Sequence, residues 1–263
     1  MAGRLEGKVI IVTGASRGLG QYCAVEYGRQ GASVAVAART EQVRDPRLPG
    51  TIHDTAKMVD EAGGKGFAVA CNVAEHESVM AMVERVIERF GHVDVLMNNA
   101  GIQAPGNCST IELRHWDLEM RINVNGMFYG TRAVLPHMTE RGEGNIINIS
   151  SVAAEMSRSG AYGVSKVAVE GFTERLAEEV QEQGIAVNCL KPVGSVATPG
   201  MFFTREQDAP SLDEADPLRD RYVEAAVLLA EQTVASCTGS IFNDAQAVES
   251  LADSETKARF AGL

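Results

Sequence analysis

Tyr162 and Lys166 are four residues apart at the end of the stretch 150–166. On a helix that spacing stacks the two side chains one turn apart on a single face. A free phenol has a pKa of about 10 and is a poor base at neutral pH, but a cation held within a few ångströms favours the phenolate. The tuned phenol can pass a proton to or from an alcohol oxygen. By itself the same spacing is equally that of two solvated polar side chains, so the decision rests on what the remaining chain places around the pair.

The stretch begins where an apolar run, Ile146, Ile147 and Ile149, stops. Similar short apolar runs recur at 8–13, 32–38, 66–71, 93–98, 145–150, 185–190 and 240–243. Most are continuous rather than alternating, as expected for parallel strands covered on both faces. Amphipathic segments at 20–30, 52–62, 77–90, 113–141, 160–183 and 220–235 separate them. Glycines close these segments before the next strand, at Gly31, Gly63 and Gly64, Gly91, Gly144 and Gly184, the usual left-handed helix stop. Segment 113–141 carries Pro136 near its end, where a bend or restart is expected.

This alternation predicts an α/β fold: one Rossmann-like domain over 1–263, a doubly wound parallel sheet flanked by helices on both faces. The core is expected over 8–244, with 247–263 as a polar tail or short helix able to reach a neighbouring subunit. Two segments break the rhythm. Residues 40–51 carry Asp45-Pro46 and Pro49-Gly50 and read as a surface loop. The run at about 199–220, with Met201, Phe202 and Phe203 followed by charges and prolines, reads as a substrate lid.

Hydrophobic residues make up 45% of the 263 residues and charged residues 22%, the balance of a soluble globular protein. A net charge of −11 argues against nucleic acid or an anionic membrane as partner. No apolar run approaches the roughly 18 residues of a membrane span, and the polar start of the chain gives no secretory signal. Cys23, Cys71, Cys108, Cys189 and Cys237 show no C-x-x-C pair and read as reduced core residues of a cytoplasmic protein. The five histidines lack metal-ligand spacing, so no metal is expected.

The first strand ends in Thr13-Gly14-Ala15-Ser16-Arg17-Gly18-Leu19-Gly20. Gly14 permits a tight turn, Gly18 lets backbone approach a pyrophosphate, and Gly20 lets the helix pack closely on the strand. The open N–H groups of the helix start then face phosphate. A plain structural turn would use the same glycines, but a strand–turn–helix unit opening a βαβ chain favours a dinucleotide. At the end of the second strand, where an acid would hold the ribose hydroxyls of NAD(H), stand Ala38 and Arg39. Arg17 reaches the same region from the glycine turn. Two guanidiniums without a carboxylate suit a 2′-phosphate, so NADP(H) is favoured over NAD(H).

With these residues in view, the chain resembles the classical short-chain dehydrogenase/reductase family from Lys8 to about Asp244. The turn 13–20 is similar to its TGxxxGxG, Asn98-Asn99-Ala100-Gly101 to its NNAG, Asn123-Val124-Asn125-Gly126 to the segment bearing its catalytic asparagine, and Tyr162–Lys166 to its YxxxK. The resemblance implies Tyr162 as general acid/base, Lys166 lowering its pKa and binding the nicotinamide ribose, Ser151 holding the substrate oxygen, and Asn123 positioning a water that links Lys166 to solvent. It implies cofactor contacts from Gly14, Ser16, Arg17, Gly18, Leu19, Gly20, Arg39, Asn72, Val73, Asn99, Ala100, Gly101, Pro192, Val193, Val196 and Thr198, besides Tyr162 and Lys166.

Three departures stand out. Ser151 precedes Tyr162 by eleven residues and Ser150 by twelve, which makes the connecting loop about two residues shorter than is usual in the family. Val152 and Ala153 after Ser151 match the usual continuation, which favours Ser151, with Ser150 left as the alternative. Asn72 stands where an aspartate commonly contacts adenine, and its amide oxygen can still accept that bond. The usual Pro-Gly after 185–190 becomes Pro192-Val193-Gly194, with Thr198 one place late.

Gln103, Glu155, Met156, Met201 and Phe202 form the expected substrate wall, whose methionines and aromatics suit an apolar terpenoid, steroid-like or aliphatic alcohol or ketone. The insertion ending at Leu48-Pro49-Gly50-Thr51 looks like that of a sub-branch with hydroxysteroid-dehydrogenase-like proteins and terpenoid alcohol dehydrogenases. By resemblance, the two long helical segments imply a homotetramer or homodimer. A reading of a different class is a non-catalytic NADP(H) sensor or interaction protein on the same fold. The short loop before Tyr162 is its best support, and the intact Asn123, Tyr162 and Lys166 weigh against it. A third is an isomerase or lyase using the same groups without net redox change.

Overall fold

The computed structural model describes residues 3–194, 196–200 and 216–263. Seven parallel strands, β1 (Val9–Thr13), β2 (Ser33–Ala38), β3 (Lys65–Ala70), β4 (Val95–Asn98), β5 (Gly144–Ile149), β6 (Ile185–Lys191) and β7 (Ile241–Asn243), lie in the order β3-β2-β1-β4-β5-β6-β7. The chain winds outward from β1 in one direction and from β4 in the other. The strand order therefore reverses between β1 and β4, and their C-terminal ends open the crevice in which such sheets bind ligands.

Continuous apolar strands feed two cores. Ile10 and Val12 face one side of β1 with Tyr27, Tyr222, Leu229 and Phe260; Val9 and Ile11 face the other with Val83, Val86, Val134 and Leu176. The first core is covered by α1 (Gly18–Arg29), α2 (Ile52–Glu61), α7 (Pro217–Ala230) and α8 (Asp244–Leu251), the second by α3 (His76–Phe90), α5 (Gly126–Arg141) and α6 (Gly160–Val180). α4 (Leu113–Met120) lies at the rim and α9 (Ser254–Arg259) ends the chain. A ladder of buried amides crosses the second core: Asn98 Nδ2 donates to Asn148 Oδ1 at 3.0 Å, and Asn148 Nδ2 to Thr173 Oγ1 at 3.0 Å. This ties β4, β5 and α6 together directly behind the crevice. Among the described residues, no helix is long and apolar enough to cross a membrane.

Four details differ from the sequence expectations. The long segment 113–141 does not break at Pro136, which sits inside α5 on an exposed face. The freed carbonyl of Arg132, also an exposed residue, opens to solvent, so the helix tolerates the proline. The irregularity comes earlier, where Arg121–Asn125 forms a wider π-helical turn. Gly142, not Gly144, takes the left-handed stop at φ 69°, and Gly144 already begins β5. Of the two forms expected for 247–263, a polar tail or a short helix, the structure has the short helix α9, with Ala247, Val248 and Phe260 buried against the chain's own first core rather than left outward. Cys108 is exposed on the loop after β4, unlike the buried Cys23, Cys71 and Cys189.

Candidate active site

At the end of β1, Gly14 and Gly18 hold φ of 69° and 62°, a left-handed backbone that side chains disfavour. A methyl on Gly14 would stand 2.8 Å from Ala100 Cα, and one on Gly20 2.4 Å from Asn99 Nδ2. The glycine turn is thus pressed against the segment that follows β4. Asn99 fastens the two, donating from Nδ2 to Thr13 O at 2.7 Å, while Thr13 Oγ1 accepts from the amides of Asn99 and Ala100 at 3.0 and 3.1 Å. Arg17 at the start of α1 makes no side-chain capping bond to the helix, and the first-turn N–H groups face the crevice as anion donors.

Arg17 is turned toward the 40–51 loop. Its Nε donates to Pro49 O at 3.1 Å and its Nη2 to Gly50 O at 3.2 Å. Burial lowers its pKa from the ordinary arginine value, and the neighbouring Arg39 guanidinium lowers it further. The two arginines therefore share one electropositive region, as a 2′-phosphate site requires. Asn72 is occupied locally, with Nδ2 donating to Glu75 Oε1 at 2.7 Å. Val193 N donates to Asp244 Oδ1 at 2.5 Å, and Asp244 Oδ2 accepts from Arg221 at 2.7 Å, so a buried ion pair holds the Pro192–Val193 turn against α7. Thr198 lies over Gly18, its Cβ 3.4 Å from where a methyl on that glycine would be. Left-handed glycines and the N-terminal end of α1 at the crevice together fit a nicotinamide dinucleotide.

The π-helical turn places Asn123 inward. Its Oδ1 accepts from Ile102 N at 2.8 Å, and its Nδ2 donates to Ile102 O at 2.8 Å and to Ser165 Oγ at 3.0 Å. Ser165 Oγ in turn donates to Tyr162 O at 2.7 Å. Asn123 is therefore braced against both the 99–102 segment and the helix carrying Tyr162 and Lys166. Gly101 keeps this corner open, since a methyl there would be 3.4 Å from Asn123 Oδ1 and 3.6 Å from Lys166 Nζ.

Lys166 is 4% exposed and donates from Nζ to Ile149 O at 2.8 Å. Burial pushes its ammonium down from the ordinary 10.5 to about 8. Its nitrogen lies 5.5 Å from the centre of the Tyr162 ring. Against the expected lowering by Lys166, the Tyr162 phenol is raised above its ordinary value by burial. The Ser151 hydroxyl works in the other direction by hydrogen bonding, and the Glu119 carboxyl adds to the rise.

The two serines are separated cleanly. Ser151 caps a short 3₁₀ turn, Val152–Ala154, accepting from Ala153 N at 3.2 Å, and its hydroxyl is turned to Tyr162. Ser150 is 2% exposed and donates to Glu170 Oε1 at 2.8 Å, away from the phenol. Glu170 also holds the buried Lys191 at 3.0 Å, and Lys191 reaches Glu155 at 2.5 Å. The wall expected to be apolar thus carries a Lys191–Glu155–Glu170 ion cluster just behind the serine turn. Met156 and Gln103 are exposed at the mouth. Met201, Phe202 and most of the expected lid lie outside the described residues. No group of three or more His, Cys, Asp or Glu side chains that could hold a metal ion occurs among the described residues.

Sequence reading missed Ser165, Glu119, Lys191, Glu170 and Asp244. A usable signal existed for two: Glu170 continues the Tyr162–Lys166 face by another four residues, and Glu119 precedes Asn123 by four.

Residues 8–209 match the family model described as short chain dehydrogenase. The chain is 36% identical over 219 residues to the oxidoreductase UcpA of Salmonella typhimurium, covering 81% of this chain and 78% of that protein. It is 32% identical over 209 residues to glucose 1-dehydrogenase 2 of Bacillus subtilis, covering 78% of each. Among solved structures, a short chain dehydrogenase of Mycobacterium thermoresistibile superimposes with a TM-score of 0.83 at 29% identity, covering 93% of this chain and 87% of that one.

Proposed function

The chain belongs to the short chain dehydrogenase family of oxidoreductases, and from that premise we propose that it interconverts an alcohol and a ketone or aldehyde with NADP(H) as cofactor. The observation that carries the proposal is the convergence of Ser151, Tyr162, Lys166 and Asn123 beside the glycine turn at the sheet crevice. In this reading the bound nicotinamide supplies or accepts the hydride. The protein's own residues position the substrate and move the proton. Ser151 holds the substrate oxygen by hydrogen bonding, and Tyr162 gives that oxygen a proton in reduction or takes one in oxidation. Lys166 favours the phenolate and binds ribose hydroxyls, while Asn123, braced between Ile102 and Ser165, positions a water that links Lys166 to solvent. The resting phenol is raised by burial, so charge neighbours decide when it ionises.

NADP(H) over NAD(H) is supported by Arg17 and Arg39 sharing one region. An apolar substrate body is supported by Met156 at the mouth, 57% exposed, with the Lys191–Glu155–Glu170 cluster serving a polar end. A homotetramer or homodimer is supported by exposed Leu118, Phe128, Val164 and Val167 on α4, α5 and α6. The acidic composition and unpaired cysteines support a cytoplasmic protein.

The test follows NADPH absorbance against a panel of ketones and aldehydes of graded polarity. Turnover with at least one of them, lost in Tyr162→Phe, is expected. Tight NADPH binding with no turnover on any compound would instead support a non-catalytic cofactor-sensing protein.

A further inference from the structure

Every residue of helix α4 is exposed or half-buried except one, and that buried residue is a glutamate. Glu119 is 0% exposed; among the described residues no hydrogen bond of good geometry reaches either carboxyl oxygen, and only the Ala104 backbone N–H stands close enough as a donor to favour its ionised form. Burying an unpaired carboxyl costs several kcal/mol in a packed protein, and an apolar side chain would fill the slot without that penalty. A buried polar group left this way calls for a reason.

The location supplies one. Glu119 lies one helical turn before Asn123, on a helix that packs against α6. The charged or titratable groups acting across that boundary are Lys166 and Tyr162 of α6; behind Lys166 stands the Cys189 thiol of β6, held neutral by burial. On α4 itself, Arg114 and Asp117 are exposed and His115 is half-buried one turn earlier. Lys166 makes its one described hydrogen bond to a neutral carbonyl, and no carboxylate lies within 4.0 Å of it among the described residues. A buried ammonium without a counter-charge gives up its proton.

We propose that Glu119 is a positioning residue that acts through Lys166, a buried counter-charge that keeps the lysine protonated beneath Tyr162. The inference rests on the proposed role of Lys166 but deepens it: the cation beside the phenol is maintained by a carboxylate on a third element. Burial raises the Glu119 carboxyl above its ordinary value, and the Ala104 N–H and then the Lys166 ammonium pull it back toward the ionised form. Burial lowers Lys166, and the Glu119 charge, after Cys189, works against that lowering. The arrangement also raises the phenol, so Glu119 trades a more reluctant Tyr162 for a lysine that holds its proton to higher pH.

The test needs neither substrate nor cofactor. Lysine labelled with ¹³C at the ε carbon is titrated by NMR in the whole protein, the Lys166 signal being identified by its loss in Lys166→Met. In Glu119→Gln the Lys166 midpoint should fall from about 8 by half a unit or more, roughly a threefold change in the proton equilibrium. Glu119→Asp should restore most of it. Glu119→Leu, which returns an apolar group to the slot, should give the same fall as Gln and serves if the Gln variant folds poorly. A Lys166 midpoint unchanged in both neutral variants, or one that rises, overturns the proposal, even if thermal stability changes. Absence of turnover would bear on the proposed reaction and leave this readout untouched.

Discussion

Lys166 Nζ donates a 2.8 Å hydrogen bond to the carbonyl oxygen of Ile149, the last residue of β5. Ser150 and Ser151 follow immediately, so the lysine that lies beneath the phenol is anchored to the strand end from which the serine turn starts. A connection shorter than is usual in the family still brings Ser151 to Tyr162, because the 3₁₀ turn Val152–Ala154 and the left-handed Gly160 at φ 61° fold it tightly. The sequence irregularity that supported a non-catalytic reading is absorbed by local backbone.

That geometry separates the two serines by experiment. Ser151→Ala should lower turnover by about 10²-fold or more with little change in stability, as loss of a donor to the reacting oxygen does. Ser150→Ala should cost about 1.5–3 kcal/mol of stability by breaking its buried bond to the Glu170 carboxylate, with activity per folded molecule largely kept. Steady-state rates beside thermal melts decide it; the reverse pattern moves the catalytic assignment to Ser150.

Lys166 makes stability depend on pH with a definite sign. Its pKa in the fold is about 8 against an ordinary 10.5. Between those values the unfolded chain holds the proton and the native protein does not, so this group's contribution grows as pH rises through the window and is lost as pH falls through about 8. Wild type minus Lys166→Met should therefore gain on the order of 3 kcal/mol from pH 8 to 10.5. Buried thiols and phenols pull the other way at high pH; those remote from Lys166 are common to both proteins and cancel in the difference, while the Cys189 thiol, which the Lys166 charge lowers, leaves a residual. Urea melts across the window check it, and a flat difference contradicts it.

Asn123→Ala should destabilise by about 1–3 kcal/mol, because it leaves the part-buried Ile102 amide without its partner and removes the buried bond to Ser165. Activity should fall as well, since the brace between the 99–102 segment and α6 is gone. Hydrogen exchange at Ile102 N, rising by more than tenfold, is the local readout.

Arg39→Asp should weaken NADPH binding by at least tenfold and improve NADH, exchanging a phosphate partner for a ribose-hydroxyl acceptor. Kinetics with both cofactors test it. A wild type that already prefers NADH ends the NADP(H) assignment. Arg17→Ala should act more broadly, since Arg17 also holds the Pro49 and Gly50 carbonyls.

Much of this was readable in the chain because it is local. Strand runs, the glycine turn and the Tyr162–Lys166 spacing are fixed by nearest neighbours along the sequence. What escaped depends on contacts between distant elements. Nothing in the polar pattern of 113–120 itself marks position 119 as the inward one; its place one turn before Asn123 is the sole sequence signal, and the packing of α4 against α6 is what makes it visible. Lys191 looks like a stray charge at a strand end until Glu170 and Glu155 are placed around it. Pro136 was weighted by its intrinsic helix-breaking tendency, whereas an exposed site allows it and Asn123 draws the irregularity to the π-helical turn.

The Asn99 amide, stitched to Thr13 across the gap between β1 and β4, has a bearing on engineering. It makes the glycine turn and the wall beyond β4 one mechanical unit, so on the proposed function a substitution at 13–20 or 98–101 should be felt along the whole length of a bound dinucleotide. Arg39 lies outside that seam. A designer who wishes to retarget the cofactor while sparing the chemistry should start there, and leave the stitched residues as an inherited block.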